Sequence, residues 1–222
     1  THTVTIQLNR ELTRMEGKAV DAALLARLPQ AFGKTRQTII ELAALRRIEG
    51  AVPAITASTE DADAGIRRAA FDSLSVLGSD QQVGDLVRVL SKTRNSDDRD
   101  GIEKALTAIC GRSGVRSLPQ VLPLAKNSDS TLRKIALHVL ASIGGSDALA
   151  AVKAALDDRD ESVQDDAVGT LATWPNNWPD DAGVAEPLLA LAKSGKKTSH
   201  QVQGARGYLL YLQENKKLSN AE

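Results

Sequence analysis

Apolar positions along this chain form a rung pattern that returns again and again. Residues 130–156 show one full unit: apolar side chains at helical spacing, a Gly144-Gly145 stop, then a second amphipathic run. Aligned on that unit, the chain repeats a leucine-type pair three residues apart. The pairs are Leu45/Ile48, Leu74/Leu77, Leu106/Ile109, Leu140/Ile143, Leu171/Trp174 and Leu209/Leu212. Successive first members lie 29, 32, 34, 31 and 38 residues apart. Four residues before each stands Glu41, Ala70, Ile102, Ala136, Ala167 or Ala205, mostly small or apolar. An i, i+4, i+7 ladder recurring at this period predicts an all-α chain, a stack of about six helix pairs.

The partner helices are predicted at 52–57, 82–91, 118–126, 148–156 and 184–193. Gly50, Gly78, Gly111 with Gly114, and Gly144-Gly145 punctuate the pairs, where helix ends favour glycine. Pro53, Pro119 and Pro187 suit first turns, and Pro123 kinks or restarts its helix. The first long helix is expected over 35–49, and a final linker from Pro175 to Gly183. Residues 1–17 read differently: Val4, Ile6 and Leu8 alternate with polar residues, a strand-like period. They are expected to be an extended N-terminal segment or the remnant of a preceding domain. The repeat domain is expected over 18–213, with a polar tail over 214–222.

A second pattern runs through the same units. An acid or amide stands four residues before a base in Asp63/Arg67, Asn95/Arg99 and Asp129/Arg133; Asp160/Gln164 keeps only the acid. Together with the ladders, these residues make the chain resemble HEAT repeats of the HEAT-like or PBS-lyase type, over roughly residues 18–213. The resemblance implies a right-handed α-α superhelix, a HEAT-like solenoid, in which these positions form an Asp–Arg ladder between neighbours. The end repeats depart from it, with Thr38 and Val202 where arginine would stand. Residues 171–212 are also similar to the ends of HEAT arrays in large exported bacterial proteins. The chain is therefore expected to be one segment of a larger bacterial protein, cytoplasmic or exported to the periplasm.

Composition narrows the function classes. Apolar residues make up 42% of the 222 but aromatics only 3%, so the core rests on alanine and leucine. Lys and Arg total 28, as do Asp and Glu, a balance that disfavours a dedicated nucleic-acid binder. No apolar run reaches the ~20 residues of a membrane span. The lone Cys110 excludes an internal disulfide and reads as a small buried hydrophobe.

Candidate chemistry is sparse. Gly33-Lys34-Thr35 ends like a phosphate-binding loop, but Leu28 occupies the first glycine position; Gly195-Lys196-Lys197 fails likewise at Ala190. His2, His138 and His200 lack a second ligand at metal spacing, and His138 and His200 are expected on the surface. No catalytic, cofactor or metal site is predicted. Trp174 stands on the core ladder. Trp178 is the best exposed aromatic, for a sugar or a protein partner; the plainer reading is a loop tryptophan capping the last helix pair.

The inner helix face is the usual binding surface of such solenoids. By helical phase it presents Arg46, then Arg68, Asp72 and Ser75, then Asp100, Lys104 and Thr107. Lys134, His138 and Ala141 follow, then Asp165, Gly169 and Ala172, and last Gln203, Gly207 and Leu210. The preferred function is a non-catalytic scaffold that binds a protein partner through Arg68, Asp72, Lys104, Lys134 and His138, or at the Trp178 end. Alternatives are a HEAT-like enzyme, an alkylpurine-type DNA glycosylase or a bilin-lyase relative, and a carbohydrate-contacting module using Trp178. The glycosylase needs a basic channel with Trp, Asp and Arg toward the lesion, and this face is mixed in sign.

Overall fold

The computed structural model of the chain describes residues 17–215; the strand-like stretch at Val4, Ile6 and Leu8 and most of the polar tail lie outside them. Every regular element among the described residues is helical. The chain divides into two compact units, Thr1–Ile109 and Cys110–Glu222. No helix of the described residues is long and apolar enough to cross a membrane.

In the first unit, α1 (Lys18–Arg27) runs into a 3-10 turn at Pro29 and is followed by α2 (Gly33–Leu45). The short α3 (Val52–Ala57) precedes α4 (Ala64–Leu77), and α5 (Asp80–Lys92) precedes α6 (Ser96–Ser113). Local sequence explains the starts. Asp63 accepts from the amides of Gly65 and Ile66, satisfying donors that the first turn of α4 leaves orphaned. Ser79 and Gln82 form a reciprocal capping box on α5.

In the second unit, α7 (Leu118–Val121) passes into a 3-10 stretch, Leu122–Lys126, at Pro123, whose missing amide proton cannot serve an α-helical bond. Then come α8 (Ser130–Ile143), α9 (Ser146–Ala155), α10 (Glu161–Asn177), α11 (Ala185–Ser194) and α12 (Thr198–Glu214). Gly144 and Gly145, at φ 71° and 85°, make the sharp stop between α8 and α9 that other residues would resist. Within each unit the second helices of successive pairs lie side by side: α2 on α4, α8 on α10, and α10 on α12.

The middle rungs lie in the core as the ladder predicts. Leu74, Leu106, Ile109, Leu140, Ile143, Leu171 and Trp174 are all buried. At the two end rungs only Ile48, 7% exposed, is buried. Leu45 is 61% exposed, because α2 stops there and Arg47 turns the chain at φ 56°, four residues before the expected end. Ile39, Ile40, Leu42 and Ala43 carry the buried face of α2 instead. On α12 the buried residues are His200, Gly204, Gly207 and Tyr211, while Leu209 and Leu212 are exposed. The glycines decide this phase. A Cβ on Gly204 would stand 2.6 Å from Leu191 Cβ, and one on Gly207 2.7 Å from Ala172 Cα, so α12 is laid backbone-close on α11 and α10. Pro175 is not in the linker but buried inside the last turn of α10, which continues to Asn177.

Candidate interaction face

One hydrogen-bond unit recurs at the start of every second helix from α4 onward. Arg67, Arg99, Arg133, Gln164 and Gln201 each donate from the side chain to the carbonyl six residues earlier, on Asp61, Thr93, Asn127, Asp158 and Gly195. The acid or amide four residues before serves the start of its own helix. Asp63, Asp129 and Asp160 cap their helices, and Asn95 accepts from the Asp98 amide.

The arginine reaches forward to the next pair. Arg67 Nε lies 3.1 and 3.0 Å from the two oxygens of Asp98. Arg133 binds Asp158 at 2.8 and 2.7 Å. Arg36 stands at the same register on α2, 3.9 Å from Asp61, and donates to Ser58 Oγ at 2.9 Å. Thus Arg36, not Thr38, holds the arginine place of the first pair, and Gln201, not Val202, that of the last. Burial pushes the Asp158 carboxyl up, but the hydrogen bond from Arg133, the Asp160 amide and the nearby positive charge hold it below its ordinary value.

These anchors orient the side of the second helices turned away from the first helices. In the first unit, Arg68 and Asp72 of α4 and Asp97, Asp100 and Lys104 of α6 share that side. Lys104 Nζ meets Asp72 at 2.7 Å. Gly65, Arg68, Asp97, Asp100, Gly101 and Lys104 line a cleft of about 530 Å³. Arg68, Asp97 and Asp100 are exposed and make no side-chain ion pair among the described residues. Arg46 does not join them: its side chain is 7% exposed and its guanidinium bonds Asp21 at 2.6 Å.

In the second unit, α8 presents Lys134 and the exposed His138, whose Nε2 stands 2.8 Å from Asp166 Oδ2 on α10. The neighbouring Asp165 gathers Lys197 at 2.7 Å and His200 at 2.6 Å from α12. Lys197, then His200, hold the Asp165 carboxyl below its usual range. Asp165, then Glu161, raise Lys197. His200 is 3% exposed, contrary to the surface position expected for it, because the close approach at Gly204 and Gly207 seats its helix against α10 and α11, where its ring meets Asp165. Gly207 likewise faces α10 rather than the inner side.

Trp178 takes the capping position. Its indole N–H donates to the Ala141 carbonyl at 2.8 Å and its ring lies against Gly144, leaving it half-buried. Trp174 is buried and donates to Asp181 at 3.0 Å. Cys110 is fully buried beside Ser117, and burial raises its thiol to about 11, far from a nucleophile's range. No group of three His, Cys, Asp or Glu side chains suited to a metal ion occurs among the described residues.

The sequence profile of the HEAT repeats family matches residues 22–107 and 88–172. No curated protein sequence matches the chain. Among solved structures, an engineered protein from a structural-genomics programme superposes with a TM-score of 0.53 at 19% identity, covering 88% of this chain and 97% of its own. A designed armadillo repeat protein gives 0.48 at 16% identity, covering 85% and 98%. The complex of CpcE and CpcF of phycocyanin lyase from Nostoc sp. PCC7120 gives 0.45 at 17% identity, covering 96% and 86%. At these identities the likeness is one of fold alone.

Proposed function

Since the chain belongs to the HEAT-repeat family, we propose that residues 18–213 act as a non-catalytic scaffold that docks a protein partner on its inner face, the side of the second helices turned away from the first helices and called outward below. HEAT repeats are stacked helix pairs whose repeated faces make extended surfaces. The observation that carries the reading is the unsatisfied charge around the first-unit cleft. Arg68, Asp97 and Asp100 stand exposed without an ion-pair partner among the described residues, next to Asp72 and Lys104, which are paired. A solvated surface tolerates such groups, but a cleft with both signs presented offers a protein surface of mixed charge its complements. In the second unit, α8 carries Lys134 and the exposed His138.

Affinity capture with the unchanged chain, compared with Arg68→Glu/Lys134→Glu, tests this. Loss of the captured protein from the charge-reversed chain, with folding intact, is expected. Equal capture by both sinks the reading. A DNA shift assay at low salt separates it from the glycosylase-type alternative, which demands tight and salt-sensitive binding.

A further inference from the structure

Arg67 and Arg99 anchor α4 and α6, each bonded to the carbonyl six residues earlier. Residues counted from these anchors stand at matching positions on the two helices. Five beyond the anchors are Asp72 and Lys104, which meet at 2.7 Å. One beyond are Arg68 and Asp100, again of opposite sign, and these do not meet. Both are exposed, and neither has an ion-pair partner among the described residues. Both line the first-unit cleft, and so does Asp97. Asp97 stands three residues before Asp100, which puts their Cβ atoms ~5–6 Å apart on the face of α6. The exposed amides of a helix start account for acids at Asp97 and Asp98. They do not account for Arg68 and Asp100 standing open one turn from a closed pair of the same kind.

We propose that this open pair receives an extended peptide segment of the partner that carries a lysine or arginine side chain. The cation sits on Asp97 and Asp100, and a main-chain carbonyl beside it accepts from Arg68. Charge decides the occupant. The other charges at the cleft are already matched, Asp98 by Arg67 and Lys104 by Asp72. What is left is two carboxylates against one guanidinium, a surplus of one negative charge. A single cation cancels that surplus, and the carbonyl satisfies Arg68 without adding charge. An acidic segment would pair with Arg68 but meet two like charges. A bare metal ion would leave Arg68 facing a cation.

At about 530 Å³ the cleft has the size of a small-ligand pocket, enough for one long side chain and its flanking main chain. Because the three side chains are exposed, each ion pair adds little, and the segment by itself binds weakly, in the millimolar range. The inference rests on the scaffold reading and deepens it by naming what the partner inserts.

Titration of the full chain with a capped peptide, one lysine flanked by alanines, tests it. The amide signals of Gly65 and Gly101, which line the cleft, are the readout. Saturable shifts at millimolar peptide are expected at both. The same peptide with norleucine or glutamate in place of lysine is expected to give none, and n-butylammonium to bind more weakly than the lysine peptide. Asp97→Asn/Asp100→Asn is expected to weaken the lysine peptide about tenfold. Asp147→Asn, at an exposed first-turn acid of α9, is expected to leave it unchanged. Circular dichroism reports the fold of each variant. No saturable shift with the lysine peptide overturns the proposal. So does binding that survives the double variant, or that norleucine or n-butylammonium matches. Partner capture keeps the two readings apart. If Arg68→Glu/Lys134→Glu loses the captured protein while Asp97→Asn/Asp100→Asn keeps it, the scaffold reading stands and this one falls.

Discussion

Arg133 and Asp158 are joined by two near-parallel hydrogen bonds, Nε to Oδ2 at 2.8 Å and Nη2 to Oδ1 at 2.7 Å. The remaining Nη1 of Arg133 donates to the carbonyls of Asn127 and Ser128. One buried side chain thus ties the turn before α8 to the turn before α10. Its side chain is 5% exposed, so solvent screens the pair little. Removing one partner leaves a buried charge, and Arg133→Ala is expected to cost about 3–5 kcal/mol. Arg133→Lys is expected to recover only part of this, since an ammonium cannot make the paired fork. Urea unfolding of each variant measures both.

The same pair sets an acid limit. Asp158 sits below its ordinary value of 3.8 in the folded chain, so the folded state binds its proton less readily than the unfolded state. Its contribution is whole above that value and is lost as pH falls through the lower, folded value. Denaturation midpoints between neutral pH and about pH 4 are expected to be flat with respect to this group and to drop below. In Asp158→Asn the drop is expected to be shallower.

Gly204 and Gly207 are expected to be the least replaceable residues of α12. A methyl at either falls within 2.6–2.7 Å of a neighbouring carbon, inside van der Waals contact. Alanine is the better helix former, by about 1 kcal/mol at an open site. Here overpacking outweighs that gain, and each substitution is expected to lose about 1–3 kcal/mol. Thermal melting of the two single variants checks the sign: a rise in Tm would mean that the helices part easily.

Trp178 and Gly144 act as a pair. Gly144→Ala meets both a left-handed φ of 71° and the indole ring, 2.3 Å from where the Cβ would fall. Trp178→Ala removes the ring and the bond to Ala141. Each alone is expected to destabilise the second unit, by roughly 1–2 kcal/mol for the backbone strain in the first case. The double variant is expected to cost less than the sum, because the clash disappears with the ring. Strict additivity in calorimetry would contradict this.

Cys110 is expected to be inert in the folded chain. Burial removes access and raises the thiol to about 11, so little thiolate exists at neutral pH. Maleimide labelling is expected to follow global unfolding, with no label under native conditions and one per chain in denaturant.

Much of the fold was legible where both rungs of a ladder are apolar and buried, as at Leu140/Ile143. At the ends the same reasoning followed leucines onto an uncovered flank, at Leu45 and at Leu209/Leu212. The inward residues of α12 include two glycines, which carry no hydrophobic signal, so the backbone contact they permit is invisible in a periodicity. The Asp–Arg spacing picks out residues that bond at the helix starts. What it could not reveal is that the acid serves the amides of its own helix while the arginine bonds the following turn. His200 was misplaced for a related reason: a polar residue at a helix start reads as solvated until Asp165 and the glycine-lined joint are seen around it. Asp97, which lines the first-unit cleft, lies off the apolar ladder, and nothing in the periodicity singles it out.

Site-specific photo-crosslinking in the presence of a captured partner most directly tests whether the outward side of the second helices is where binding occurs. A photoreactive residue replaces Arg68, Lys104 or Lys134 on that side, or the exposed Lys92 or Lys153 on the first helices α5 and α9. The account predicts adducts at the first three positions and none at the last two. Adducts at Lys92 or Lys153 with none at Arg68, Lys104 and Lys134 would contradict it.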